Sequence, residues 1–88
     1  MDKIEFTGNN APDSNTDSLS FEAMCDGRRI VCKISHEALE DHFRLSDYKN
    51  ISEAYLSNRY KIEEIATKLI RMGRFEKENI IRIFSHDI

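Results

Sequence analysis

Eighty-eight residues, 33% of them charged and 40% hydrophobic, exclude a multidomain machine and leave one domain over 1–88 with a thin core. No run approaches the roughly 18 apolar residues of a membrane span, and Met1-Asp2-Lys3-Ile4-Glu5 is too charged to open a signal peptide, so the expected compartment is the cytoplasm. The net charge of −3 sits in residues 1–17, where four acids face Lys3; the neutral remainder gives no global field to draw in a polyanion, which argues against a dedicated nucleic-acid binder.

Taken in chain order, Lys3 to Thr7 alternates Ile4 and Phe6 with polar residues, the pattern of a short strand. Residues 8–18 are rich in Gly, Asn, Asp, Ser and Pro with almost nothing to bury, which predicts a flexible loop. Two alternating stretches, about 19–25 and 28–34, then flank Asp26-Gly27. Both residues accept the positive φ of a two-residue turn, so the pair predicts a β-hairpin. Folding there sets Cys25 opposite Arg28, Ala23 opposite Ile30, Phe21 opposite Cys32 and Leu19 opposite Ile34. One face collects Leu19, Phe21, Ala23, Cys25, Ile30, Cys32 and Ile34. The other collects Ser20, Glu22, Met24, Arg29, Val31 and Lys33, and a one-residue slip would undo the separation. This register holds Cys25 and Cys32 roughly 13 Å apart along the ribbon, too far for a disulfide, and fits two reduced thiols in a reducing compartment.

Ser35 is placed to cap a short amphipathic helix over 36–43, with Glu37 at its positive end. After a connector from Arg44 to Lys49, Asn50 and Glu53 have capping-box spacing. Ile51, Tyr55, Ile62, Ile65, Ala66, Leu69 and Met72 then recur every three or four residues, predicting one long helix from about Ser52 to Met72 that ends at Gly73. With Arg59 at 0° and about 100° per residue, the core stripe covers about 220–340°, while Leu56 falls near 60° and Tyr60 near 100°. Either the short helix or the N-terminal segment covers these two, or they are contacts for a partner. The tail divides between two patterns: its β-branched residues favour a strand near 79–84, while Ile80, Ile83 and Phe84 also share a helical face.

The run from Phe21 through Asp26-Gly27 to Leu39 resembles the core of the small bacterial proteins grouped as "domain of unknown function 1488". Ile62-Glu63-Glu64-Ile65-Ala66 with Gly73, followed by an Ile-rich strand before Ser85 and Asp87, is similar to the rest of that pattern. The resemblance covers about residues 19–88. It implies a small α+β domain, supports a strand for the tail, and brings no catalytic or binding residues with it.

Little chemistry is legible. His36 and His42 are six apart on a short helix and so point in different directions, and no tight Cys or carboxylate spacing accompanies them, so no metal site is expected. Cys32 with His36 or His42 is the only Cys–His combination, and its strand register hides the thiol. The glycines are too dispersed for a phosphate loop. No catalytic residue and no cofactor is expected.

The expected architecture is a small two-layer α+β sandwich in the order β-β-β-α-α-β, an antiparallel hairpin-based sheet with two helices on one face. The expected function is a non-catalytic protein-interaction or assembly module that binds either an unknown protein partner or a second copy of itself, as a homodimer, with Leu56 and Tyr60 as candidate contacts. The alternative is a nucleic-acid-binding accessory protein using Arg29, Lys33 and the basic half of the long helix, namely Arg59, Lys61, Lys68, Arg71 and Arg74.

Overall fold

The period-two patterning of the first half folds into three consecutive antiparallel strands, β1 (Ile4–Asp13), β2 (Ser18–Cys25) and β3 (Arg28–Ser35), in a computed structural model that describes residues 3–88. Asp26 and Gly27 turn the chain at φ 52° and 79°, the two positive values a tight hairpin needs. All four expected cross-strand pairs of the hairpin are present, from Cys25 opposite Arg28 to Leu19 opposite Ile34. Leu19, Phe21, Ala23, Ile30, Cys32 and Ile34 are buried, whereas Cys25, at the rim, is only half-buried. Both cysteines are free thiols.

Residues 8–18 are not the loop their composition predicts. β1 runs on to Asp13: Ile4–Phe6 pairs with the end of β2, the register shifts between Phe6 and Asn10, and Asn10–Asp13 then pairs with Phe21–Ser18. Gly8, at φ +90°, supplies the backbone for this bulge. Pro12 is tolerated because β1 is an edge strand, whose outward side needs no donor. Only residues 14–17 turn, with Asp13 Oδ1 accepting from the Asn15 amide at 3.0 Å and Asp17 at φ 48°.

Three helices follow where two were expected. The first, α1 (His36–Phe43), starts at Ser35, whose hydroxyl accepts from the Ala38 amide at 3.0 Å. The long helix is broken into α2 (Ile51–Ser57) and α3 (Arg59–Arg71). Asn50 caps α2, its Oδ1 accepting from the Glu53 amide at 2.9 Å. The break falls at Asn58, with φ −118° and ψ 22°, whose side-chain amide donates to the Ala54 carbonyl at 2.9 Å. The two halves serve different parts of the sheet: α2 lies against β1 and β2, where Tyr55 stacks on Phe21 at 4.9 Å, and α3 lies against β5. Gly73, at φ +71°, ends α3, and the Gly73 and Arg74 amides donate to the Ile70 and Leu69 carbonyls at 3.0 Å each. Met72, expected on the core stripe, instead lies past the last turn and is exposed, while Ile70 is buried.

The tail is a strand, β5 (Ile80–Ile83), preceded by a short edge strand, β4 (Phe75–Lys77), that the sequence reading did not separate. The sheet order is β1-β2-β3-β5-β4, with β5 parallel to β3 and the other neighbours antiparallel. Ile81 and Ile83 thereby line up with Cys32 and Ile34 on the buried face. The molecule is an α+β fold with its helices on one side of a five-stranded mixed sheet. Among the described residues no helix is long and apolar enough to cross a membrane.

Candidate functional site

On the helix-free face of the sheet, side chains neutralise one another in rows. Glu22 is held by Arg29 and accepts from Thr7 Oγ1 at 2.9 Å and Asn9 Nδ2 at 3.2 Å. Lys33 Nζ reaches across β2 to Asp13 Oδ2 at 3.0 Å, and Arg82 Nε faces Glu76 at 3.2 Å. Hydrogen bonds from Arg29 and then Thr7 hold the Glu22 carboxyl below its usual range, and those from Lys33 and then Thr16 do the same for Asp13. Arg29 and Lys33, the cations singled out from the sequence, are thus each bound to a carboxylate. Of the basic residues of α3 and its end, Arg59 is paired with Glu63 at 2.6 Å and Arg74 with Asp87 at 3.1 Å. Lys61, Lys68 and Arg71 form no ion pair among the described residues.

Cys32 lies beneath the helices and is fully buried. Burial, and then the negative charge of Glu63, push its thiol up to about 12, so almost no thiolate exists near neutral pH. Cys32 is expected to stay unmodified by a thiol reagent in the folded protein and to react at the rate of an unhindered cysteine in denaturant. Mass spectrometry after a short labelling pulse checks this, and rapid native labelling would mark Cys32 as an activated nucleophile. Neither histidine proposed to accompany it is engaged with it. His36 Nδ1 faces Glu40 at 3.4 Å, and His42 Nε2 lies 2.9 Å from the Ser85 carbonyl. Among the described residues no three His, Cys, Asp or Glu side chains converge as a metal ion requires.

One grouping was invisible in the sequence. Asp41, His42 and Ser85 meet where α1 touches the turn at 85–87, with Ser85 Oγ donating to Asp41 Oδ2 at 2.5 Å. The residue types suggest a nucleophilic triad, but the connections do not. In such a triad the histidine accepts the serine proton and the carboxylate holds the histidine. Here the carboxylate takes the serine hydroxyl directly. His42 Nε2 lies 2.9 Å from the Ser85 carbonyl and 3.3 Å from Ser85 Oγ. A proton on that nitrogen satisfies the shorter contact, and the serine hydroxyl is then given to Asp41 rather than to the histidine. The arrangement fastens the C-terminal turn to α1. Separations of 43 and 44 residues carry no local signal for it.

Leu56 and Tyr60 are the clearest anomaly on the surface. Neither the short helix nor the N-terminal strand covers them: they are 53% and 87% exposed. They flank the helix break, separated by Ser57, Asn58 and Arg59. The Arg59 charge is taken up by Glu63, whose carboxylate also accepts from the Tyr55 hydroxyl at 3.4 Å. Two exposed apolar side chains thus stand on either side of the break, with little net charge in the three residues between them.

The sequence profile of a family described as "Protein of unknown function (DUF1488)" matches residues 4–83. A crystal structure of a protein of unknown function from that family, from Shewanella loihica PV-4, is similar in fold with a TM-score of 0.76. It is 32% identical, over 91% of this chain and 90% of that one. No curated protein matches the sequence.

Proposed function

The chain belongs to the DUF1488 family, and we propose that it is a non-catalytic interaction or assembly module of the bacterial cytoplasm, working as a homodimer through Leu56 and Tyr60. The observation that carries this reading is Tyr60, a large aromatic side chain left 87% exposed on a helix whose opposite side is buried. Tyrosine combines a large apolar area with few rotatable bonds and so loses little entropy on docking. A second copy suits these two side chains because a two-fold interface brings each surface against itself, which favours one without net charge. Ser57 and Asn58 are uncharged, and Arg59 is neutralised by its partner on the next turn. Two free cysteines agree with a reducing compartment. The nucleic-acid reading is the weaker one, because Arg29, Lys33, Arg59 and Arg74 are already paired with carboxylates.

Sedimentation equilibrium across the micromolar range tests the reading. The unmodified protein should sediment as a dimer. The double variant Leu56→Ala/Tyr60→Ala should dissociate at least tenfold more readily, since buried interface aromatics contribute about 2 kcal/mol or more. Both positions are exposed in the protomer, so the variant should keep the Tm of the monomer within a few degrees. An unmodified protein that is monomeric throughout overturns the reading.

A further inference from the structure

The molecule carries a second partly apolar surface, lined by residues other than Leu56 and Tyr60. A groove of about 430 Å³ runs between α3 and the C-terminal turn. Along α3 its wall is Lys61, Ile65, Lys68 and Met72, spaced four, three and four residues apart and therefore on one side of the helix. Opposite stand His86 and Ile88. Met72 is 58% exposed and Ile88 37% exposed, so the core uses neither fully.

The charges at this groove are unevenly spent. Asp87, its buried carboxylate, is engaged by Arg74 at 3.1 Å and accepts from the Phe84 amide at 2.8 Å. Lys61 and Lys68 have no carboxylate partner among the described residues, and Glu64 is the one other acid on the wall. The two lysines are seven residues apart, about 10.5 Å along the helix axis, with Ile65 between them. An amphipathic helix with carboxylates seven residues apart and an apolar residue between them would match both the charges and the spacing.

We propose that this groove docks an acidic amphipathic helix of a partner protein, its apolar stripe on Ile65, Met72 and Ile88 and its carboxylates on Lys61 and Lys68. The proposal rests on the reading of the protein as an interaction module but uses neither Leu56 nor Tyr60, so a failed dimer test at those two residues leaves it standing.

The test is titration of the isotope-labelled full chain with a synthetic 18-residue helical peptide bearing leucines on one stripe and glutamates seven apart. Controls are its scrambled sequence and its Glu→Lys counterpart. The glutamate peptide should shift the amide signals of 61–72 and 86–88 and bind at least tenfold more tightly than either control. Lys61→Glu/Lys68→Glu should lose that binding tenfold or more and gain affinity for the lysine peptide, a reversal that misfolding cannot produce. The proposal is overturned if the scrambled peptide binds equally well, if no shifts occur, or if they fall at Leu56 and Tyr60. It is likewise overturned if the groove signals move with protein concentration alone, which would make a second copy the occupant.

Discussion

Replacing Phe21 by alanine should cost about 3–5 kcal/mol, the range for deleting a buried aromatic side chain. Phe21 sits at the junction of three elements: its ring stacks on Tyr55 of α2 at 4.9 Å and lies 6.1 Å from Phe6 of β1. Removing it withdraws support from the edge strand and from the shorter half of the broken helix at once. For a domain of this size each kcal/mol corresponds to roughly 4–8 °C in Tm, so a fall of about 12 °C or more is expected by calorimetry. Phe21→Leu keeps most of the volume and should recover more than half of the loss. A Tm unchanged by Phe21→Ala would mean that α2 is not seated on the hairpin.

The hairpin was readable because every signal that specifies it is local. The turn residues, the alternation and the register all lie within 19–34, and each points to the same pairing. The caps at Ser35, Asn50 and Gly73 were readable for the same reason, a hydrogen bond to a backbone group three to five residues away. What failed depends on distant chain. β1 extends through Asn10, Ala11, Pro12 and Asp13 because β2 offers an edge to pair with, which overrides the poor strand propensity of those residues. The helix breaks at Asn58 because Tyr55 must reach Phe21 while α3 packs on β5. A single stripe cannot encode two directions of burial.

The candidate surface was only half legible. Leu56 and Tyr60 stood out because they depart from the periodicity of their helix, and a departure from pattern can be seen in one sequence. The groove could not be seen, since Met72 fitted the core stripe and its exposure follows from where Gly73 turns the chain. Charge was the least informative signal. Glu22 shares the outer face with Arg29 and Lys33 in the sequence pattern, but the carboxylate that takes up Lys33 is Asp13, in a segment read as loop.

Ile81→Ala should destabilise the protein by about 2–4 kcal/mol, whereas Ile80→Ala should cost less than about 1 kcal/mol. Ile81 is fully buried opposite Cys32, in the parallel pair that joins the tail to the hairpin. Ile80 points to the helix-free face and is half-buried there. The contrast separates the two patterns found in the tail, because a helix would bury Ile80, Ile83 and Phe84 together and leave Ile81 outside. Urea unfolding of the two variants measures it directly. Equal effects, or a larger one at Ile80, would contradict the β3–β5 pairing. That pairing matters beyond the tail, since it carries the chain past Ile83 to the turn at 85–87 and so places Ile88 opposite Met72 across the groove. A tail that did not pair with β3 would leave α3 with one wall and no groove.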